Sequence, residues 1–406
     1  MVRKVLLIMT VLLLSVSLGF SNTKFKESES KEEYSIPKVY FEGNINEMYD
    51  KSDERKIKLK YESNDINFEG YASIKIQGSS SLRYEKKNYT IKLYDDENLE
   101  NKKTIDFGWG KQSKYCLKAN WIDKTHARNV VTAKLVGEVQ EKYSLFESSP
   151  NNGAIDGFPV EIYINDEFLG VYTWNIPKDA WMFDMDENNP NHLVVVAEEW
   201  SDNTLFKEEP RLGSWEFEVG EPNEENLNKF KRLANFIMYS DDETFENEFR
   251  DYLDLNATLN YFIIMEFAEL QDNVTKNLIL VTYDGNIWSP TLYDLDSSWG
   301  TSPWGTSKLD YYNSYDYLAS TLWQRVSEVF KGEIANRYFE LRKNILTKEH
   351  VMNLFYDFEN MIPRESFKKE EARWTLIPGY SYTQIEKFLD IRIPLIDDKM
   401  KKRKES

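Results

Sequence analysis

The chain has 406 residues, 41% of them hydrophobic and 15% aromatic, which is enough to bury a sizeable core and too apolar for wholesale disorder. Lys and Arg number 51 against 69 Asp and Glu, and the resulting charge of −18 repels nucleic acid and anionic lipid. One cysteine, Cys116, excludes an intrachain disulfide, and three scattered histidines (His126, His192 and His350) show no zinc spacing.

The N-terminus, MVRKVLLIMTVLLLSVSLGFSNT, puts two basic residues before an apolar run of about 16 residues, and small residues follow. The run is short of the ~20 residues of a membrane span, so residues 1–21 are predicted to be a signal peptide or an anchor. A secreted or cell-envelope location follows, with membrane contact only through this segment. Residues 22–37 are charged and Ser-rich and read as a linker.

Residues 38 to about 95 alternate apolar and polar, as in KIKLKYES and YASIKIQG, and predict strands. KYCLKANW is another strand, with Cys116 as a buried structural thiol. KTHARNVVTAKLVGEVQEKY spaces Val131, Leu135 and Val139 four apart and predicts a helix. FPVEIYINDEFLGVYTWNI is a hairpin with its turn in NDE, and HLVVVAEEW is a strand. From about 223 helical periodicity takes over, up to LNATLNYFIIMEFAEL. A hairpin follows, then helical segments near 321–343, 347–360 and 382–402. The basic tail KMKKRKES reads as a solvated helix end. The pattern is α+β, with a β-rich lobe over about 38–220, a helical lobe over about 221–402 and a cleft between them.

The densest chemistry lies in ELQDNVTKNLILVTYDGNIWSPTLYDLDSSWG, residues 269–300. A helix ends near Leu270, and a D-x-x-x-x-N loop holds Asp272 and Asn277. A strand, a DG turn and a return strand then lead to Asp294 and Asp296. Phosphoryl transfer in protein kinases uses this order: the loop Asp takes the hydroxyl proton, and the Asn and the later Asp hold Mg²⁺. The HRD, DFG and G-x-G-x-x-G letters are missing, so a polar loop after a buried helix competes with that reading. An EF-hand fails, because no Gly stands sixth and no Glu twelfth from Asp294. An Asp-x-Asp sugar-nucleotide site lacks a preceding βαβ pattern. In IKIQGSSSLRYEKKNYTIKLYD, Gly78, Ser79, Ser80 and Ser81 offer N–H and hydroxyl groups to a phosphate. Lys92 reads either as a fixed cation for phosphate or as a surface lysine on an alternating strand. Arg128 either favours an anion at a helix start or belongs to a capping loop with Asp123 and Thr125.

With these blocks in order, the chain resembles the spore-coat protein H (CotH) kinase family of atypical, secretory-kinase-like proteins. The resemblance runs collinear from about 38 to 300 and rests on IKIQGSSSLRYEKKNYTIKL, ANWIDKTHARN, VEIYINDEFLGVYT, DNVTKNLIL and SPTLYDLDSSWG. It implies a two-lobe protein-kinase-like fold with ATP and Mg²⁺ or Mn²⁺ in the cleft. It implies transfer of the γ-phosphoryl group to Ser or Thr of a secreted, envelope or spore-coat protein. Carried over, Asp272 is the catalytic residue, and Asn277, Asp294 and the more loosely matched Asp296 face metal. Lys92, Arg128, Gly78 and Ser80 face the nucleotide, with Asn129 beside Arg128. Two positions depart: Gln77 stands where relatives show Arg or Lys, and Asn175 where they often carry Glu. If that Glu orients the phosphate-binding lysine, the replacement must come from Glu198, Glu199, Glu216 or Glu218. These departures leave an alternative, a degenerate kinase-like surface module that binds protein or glycan.

Overall fold

The computed structural model describes residues 35–45, 48–78, 80–306, 316–375 and 381–405. The predicted leader over 1–21, most of the 22–37 linker, and Ser79 lie outside them. From Ser35 onward the chain is one compact unit.

The first half contributes β1 (Lys38–Glu42), β2 (Glu54–Glu62), β3 (Asn67–Gln77), β4 (Asn88–Tyr94), β5 (Ile105–Asp106), β6 (Lys111–Gln112) and β7 (Lys114–Lys118). Then come α1 (Arg128–Lys142), β8 (Gly157–Ile164) and β9 (Glu167–Asn175). Seven of these strands close a barrel in the order β1-β2-β3-β4-β7-β9-β8, while β5 and β6 pair separately. Neighbours are antiparallel, except that β1 and β8 seal the barrel in parallel. Strand periodicity decides what lies inside. Ile57, Leu59, Tyr61, Ile74, Ile76, Tyr89, Ile91, Leu93, Tyr115 and Leu117 all belong to the apolar interior cluster. Trp174 fills it, with Tyr115, Phe107 and Tyr61 at ring-centroid distances of 5.0, 5.4 and 5.6 Å. The β8–β9 turn falls in the predicted NDE, because Asn165 and Asp166 accept the left-handed φ of 49° and 68° that a tight hairpin requires.

The second sheet, β11-β10-β12-β13, is built from β10 (Leu193–Ala197), β11 (Trp215–Val219), β12 (Leu278–Thr282) and β13 (Ser289–Leu292). The remaining helices are α2 (Glu224–Tyr239), α3 (Asp242–Glu248), α4 (Leu255–Ala268), α5 (Thr321–Val329), α6 (Lys331–Leu341), α7 (Lys348–Asn360), α8 (Arg364–Arg373) and α9 (Tyr382–Glu405), with α4 packed on β13 and α8 on β9 of the barrel. With α1 these make nine α-helices among the described residues, and the fold is a mixed α+β one. Helix α4 is buried from Ala257 to Ala268, so its apolar residues run around the whole cylinder. None of these helices is long and apolar enough to cross a membrane.

Three expectations change. The segment 321–343 is two helices, because Phe330 leaves helical geometry (φ −103°, ψ 28°) to pack against Phe249 at 4.7 Å. The DG turn is not a two-residue connection, since the β12–β13 register ends at Val281↔Ser289. Asp284 Oδ1 there accepts from the N–H groups of Asn286 and Ile287, at 2.8 and 2.9 Å, and holds a wider loop. Helix α8, RESFKKEEAR, is unpredicted because its fully buried residues are polar, Ser366 and Glu370. Glu370 accepts from Lys86 Nζ and from the Val171 N–H, each at 2.7 Å, and Ser366 donates to buried Glu161 at 2.7 Å.

Candidate functional site

The outward face of β3, β4 and β7 lines one side of a cavity of about 330 Å³. Outward positions on a barrel are normally polar and wet. Thr90, Cys116 and Lys118 alternate with Ile91, Tyr115 and Leu117, yet they are buried too, because the second sheet and its loops cover them. Glu198, Glu216 and Glu218 line the cavity at β10 and β11. Asp272, Lys276, Asn277, Tyr293, Asp294 and Asp296 line it around β12 and β13. Seven lysines and six carboxylates share the lining, so the cavity is far less acidic than the chain as a whole.

Asp272 opens a short 3-10 turn, Asp272–Val274, after the left-handed Glu269 (φ 55°) ends α4. Asn273, fully buried, donates from Nδ2 to the Tyr293 carbonyl at 2.8 Å and ties this loop to the end of β13. The Asn277 N–H donates to the Ala197 carbonyl at 2.8 Å. Asn277 and Asp294 both hold left-handed backbone, φ 66° and 56°. Asn and Asp are the side-chain-bearing residues that tolerate this region best, and such geometry gathers at functional sites. So Asp272, Asn277, Asp294 and Asp296 meet in one cavity although they span two loops.

Lys118 Nζ donates to Asp294 Oδ1 at 3.2 Å. Asp294 keeps 36% of its side-chain surface open to the cavity, so it is a cavity-wall group and not a core one. Burial raises its pKa, but Lys118 first, then Lys276 and Lys178, outweigh burial and hold the carboxyl below its ordinary value. Burial also works against the Lys118 charge, and Asp294 leads the groups that nevertheless raise its pKa. Asp296 goes the other way: burial, then the charges of Asp294, Asp272 and Asp123, push it well above the carboxylate range. Lys178 Nζ pairs with Glu218 at 2.7 Å and with Glu198 at 3.1 Å. Of the four acids offered in place of the missing Glu, Glu198 and Glu218 thus pair with Lys178, not with Lys92. Asn175, where the family often has Glu, is buried with neither amide atom hydrogen-bonded, and it pairs across strands with Cys116.

Lys92 takes the next outward position after Thr90, beside Lys114 of β7, and is not among the lining residues. Arg128 is fully buried away from the lining and spent internally. Its guanidinium bonds Asp123, the Ser298 carbonyl (3.2 Å) and Gln384 (2.6 Å). Asp123 also accepts from the Arg128 N–H at 2.9 Å and from the Thr125 hydroxyl at 2.7 Å, which is the capping-loop arrangement. Asn129 accepts from the Leu295 N–H at 2.9 Å, between the two cavity acids. Arg128 and Asn129 thus brace the Asp294–Ser298 segment. Gly78 lines the cavity with φ 110°, and a Cβ there would lie 1.9 Å from Ser81 Oγ, so only glycine fits. Ser80 begins a 3-10 turn whose Ser81 reaches the lining, and its own side chain lies outside the described set. Gln77 Nε2 lies 3.5 Å from the Tyr293 hydroxyl, and Gln77 Oε1 is buried without a hydrogen bond.

Sequence reasoning missed Lys118, Lys178 and Tyr293. In KYCLKANW the lysines fall on the solvent side of the alternation, and no local signal shows that another sheet covers them. No curated protein matches the chain. A family model described as CotH kinase protein matches residues 74–394, most of the chain.

Proposed function

The chain belongs to the CotH kinase protein family, and from that premise we propose a metal-dependent protein kinase that carries the γ-phosphoryl group of ATP to a Ser or Thr hydroxyl. The observation that supports this best is the convergence of Asp272, Asn277, Asp294 and Asp296 on one cavity, with Lys118 bonded to Asp294. The donor set fits a hard divalent cation: all its donors are oxygens, and the Asp294 charge pushes the Asp296 carboxyl upward even with Lys118 beside them. Asn277, Asp294 and Asp296 would hold Mg²⁺ or Mn²⁺, which when bound supplies positive charge against the phosphate oxygens.

The residues of the chain do the rest. Asp272 accepts the proton of the acceptor hydroxyl, the hydroxyl oxygen bonds to the γ-phosphorus, and ADP departs with the bridging oxygen. Lys118 and Lys178 take the phosphate-holding role that sequence assigned to Lys92, while Gly78 and its turn offer N–H groups to the same chain of phosphates. Two lobes flank the cavity in this reading, the barrel on one side and the second sheet with its helices on the other. The predicted leader points to an acceptor protein that is secreted or held at the envelope.

Radiolabelled ATP incubated with the full chain and a Ser/Thr-containing acceptor protein tests this. Label should pass to protein only with Mg²⁺ or Mn²⁺, and should be lost in Asp272→Asn and Asp294→Ala. Transfer that survives in both variants, or no transfer with either metal, contradicts the proposal.

A further inference from the structure

Tyr293, the residue before Asp294, is 5% exposed and forms part of the cavity floor. The ammonium groups of Lys118 and Lys178 both lie over its ring, each 5.3 Å from the centroid. The two lysines come from different places, Lys118 from the end of β7 and Lys178 from the chain after β9. They have different carboxylate partners, Asp294 for one and Glu218 with Glu198 for the other. Both lie against this ring, and both charges also act on the neighbouring Asp294. A lysine stem is flexible, and two ammonium groups facing one cavity repel each other. An aromatic face attracts both and narrows the positions each can take. The backbone that carries the ring is tied down, since the Tyr293 carbonyl accepts from Asn273, in the Asp272 loop, at 2.8 Å, and burial confines the side chain.

We infer that Tyr293 is a positioning residue that sets Lys118 and Lys178 as two separate phosphate contacts, so that the cavity selects a nucleoside triphosphate over a monophosphate. This rests on the reading of the cavity as a nucleotide site. A triphosphate reaches both cations, whereas a monophosphate satisfies one. The ring carries the effect and the hydroxyl does not, because the hydroxyl's contact with Gln77 is long, 3.5 Å.

Equilibrium binding of ATP, ADP and AMP to the full chain with Mg²⁺ tests the inference. The wild-type chain should prefer ATP to AMP by at least about tenfold, and Tyr293→Leu should narrow that ratio by about tenfold through weaker ATP binding. Tyr293→Phe should restore the ratio to within about threefold of wild type. The melting temperature without nucleotide should separate this from a folding defect. An unchanged ATP-to-AMP ratio in Tyr293→Leu, or equal loss of both ligands, overturns the inference and leaves the nucleotide reading standing. A wild-type chain that binds none of the three overturns both. Should Tyr293→Leu not fold, Lys178→Met carries the same prediction, and an unchanged ratio there overturns the inference.

Discussion

Two lysine–carboxylate pairs lie beside the barrel and differ in what surrounds them. Lys86 and Glu370 are enclosed, with side-chain exposures of 0% and 4% and a separation of 2.7 Å. Lys86 also donates to the Ala119 and Val171 carbonyls and lies 4.4 Å from the centre of the Tyr172 ring. Its donors are used up, and α8 is fastened to β9 through it. Lys118 and Asp294 are longer at 3.2 Å and more open, 9% and 36%. Among the described residues Lys118 has no comparable set of carbonyls around it; it bonds Asp294 and lies against the Tyr293 ring. Enclosure and saturation make the first pair a fastener. Openness leaves the second free to exchange its partner for a phosphate, which is what a binding group must do.

The sharpest way to break this contrast is to remove one member of each pair. Glu370→Ala strands a buried ammonium and should cost about 3–5 kcal/mol of stability, read from the urea midpoint. Lys118→Met should cut phosphoryl transfer by about 10²-fold or more, yet lower stability by only about 1 kcal/mol, because Asp294 still faces the cavity and Lys276. Equal stability losses in the two variants would erase the distinction.

A smaller effect concerns His126, which lies 3.9 Å from Glu370 in the enclosed region and is 1% exposed. Burial first, and the Lys86 charge second, hold its pKa well below the ordinary histidine value. The folded chain keeps it neutral, while the unfolded chain takes up a proton as pH falls. Its share of stability is therefore full above about pH 6.5 and is lost below it, by up to about 1.4 kcal/mol per pH unit. His126→Asn, chosen because Asn tolerates the left-handed φ of 57°, should flatten the urea-midpoint slope between about pH 6.5 and 5.5. An unchanged slope would show that other groups govern acid unfolding.

The same contrast explains what could be read from sequence. Periodicity located the barrel strands and α1, because Ile57, Leu59, Ile91 and Leu93 point one way and helix positions such as Val131 and Leu135 another. The D-x-x-x-x-N loop and the acid pair, weak signals by spacing alone, were legible because they stand in order with three earlier blocks. Closure of the barrel was not visible, since the β1–β8 contact joins strands more than 100 residues apart. Nor was α8, whose buried contacts are Ser366 and Glu370 where a stripe would have been apolar. The cavity lysines escaped for a related reason. Lys92, Lys114 and Lys118 look alike in the alternating strands, and only the covering sheet separates the cavity-lining Lys114 and Lys118 from Lys92. Arg128 was legible as a helix-start residue, but its two readings differ by tertiary contacts with Ser298 and Gln384, far away in sequence.

The most direct measurement is the melting temperature of the full chain with millimolar ATP, with and without Mg²⁺ or Mn²⁺, beside Asp294→Ala. A metal-dependent rise in the wild-type chain, absent in the variant, is expected if the open lysine–carboxylate pair belongs to a nucleotide site. No rise with either metal, or an equal rise in Asp294→Ala, would contradict that assignment and turn attention to the cavity as a surface for protein or glycan.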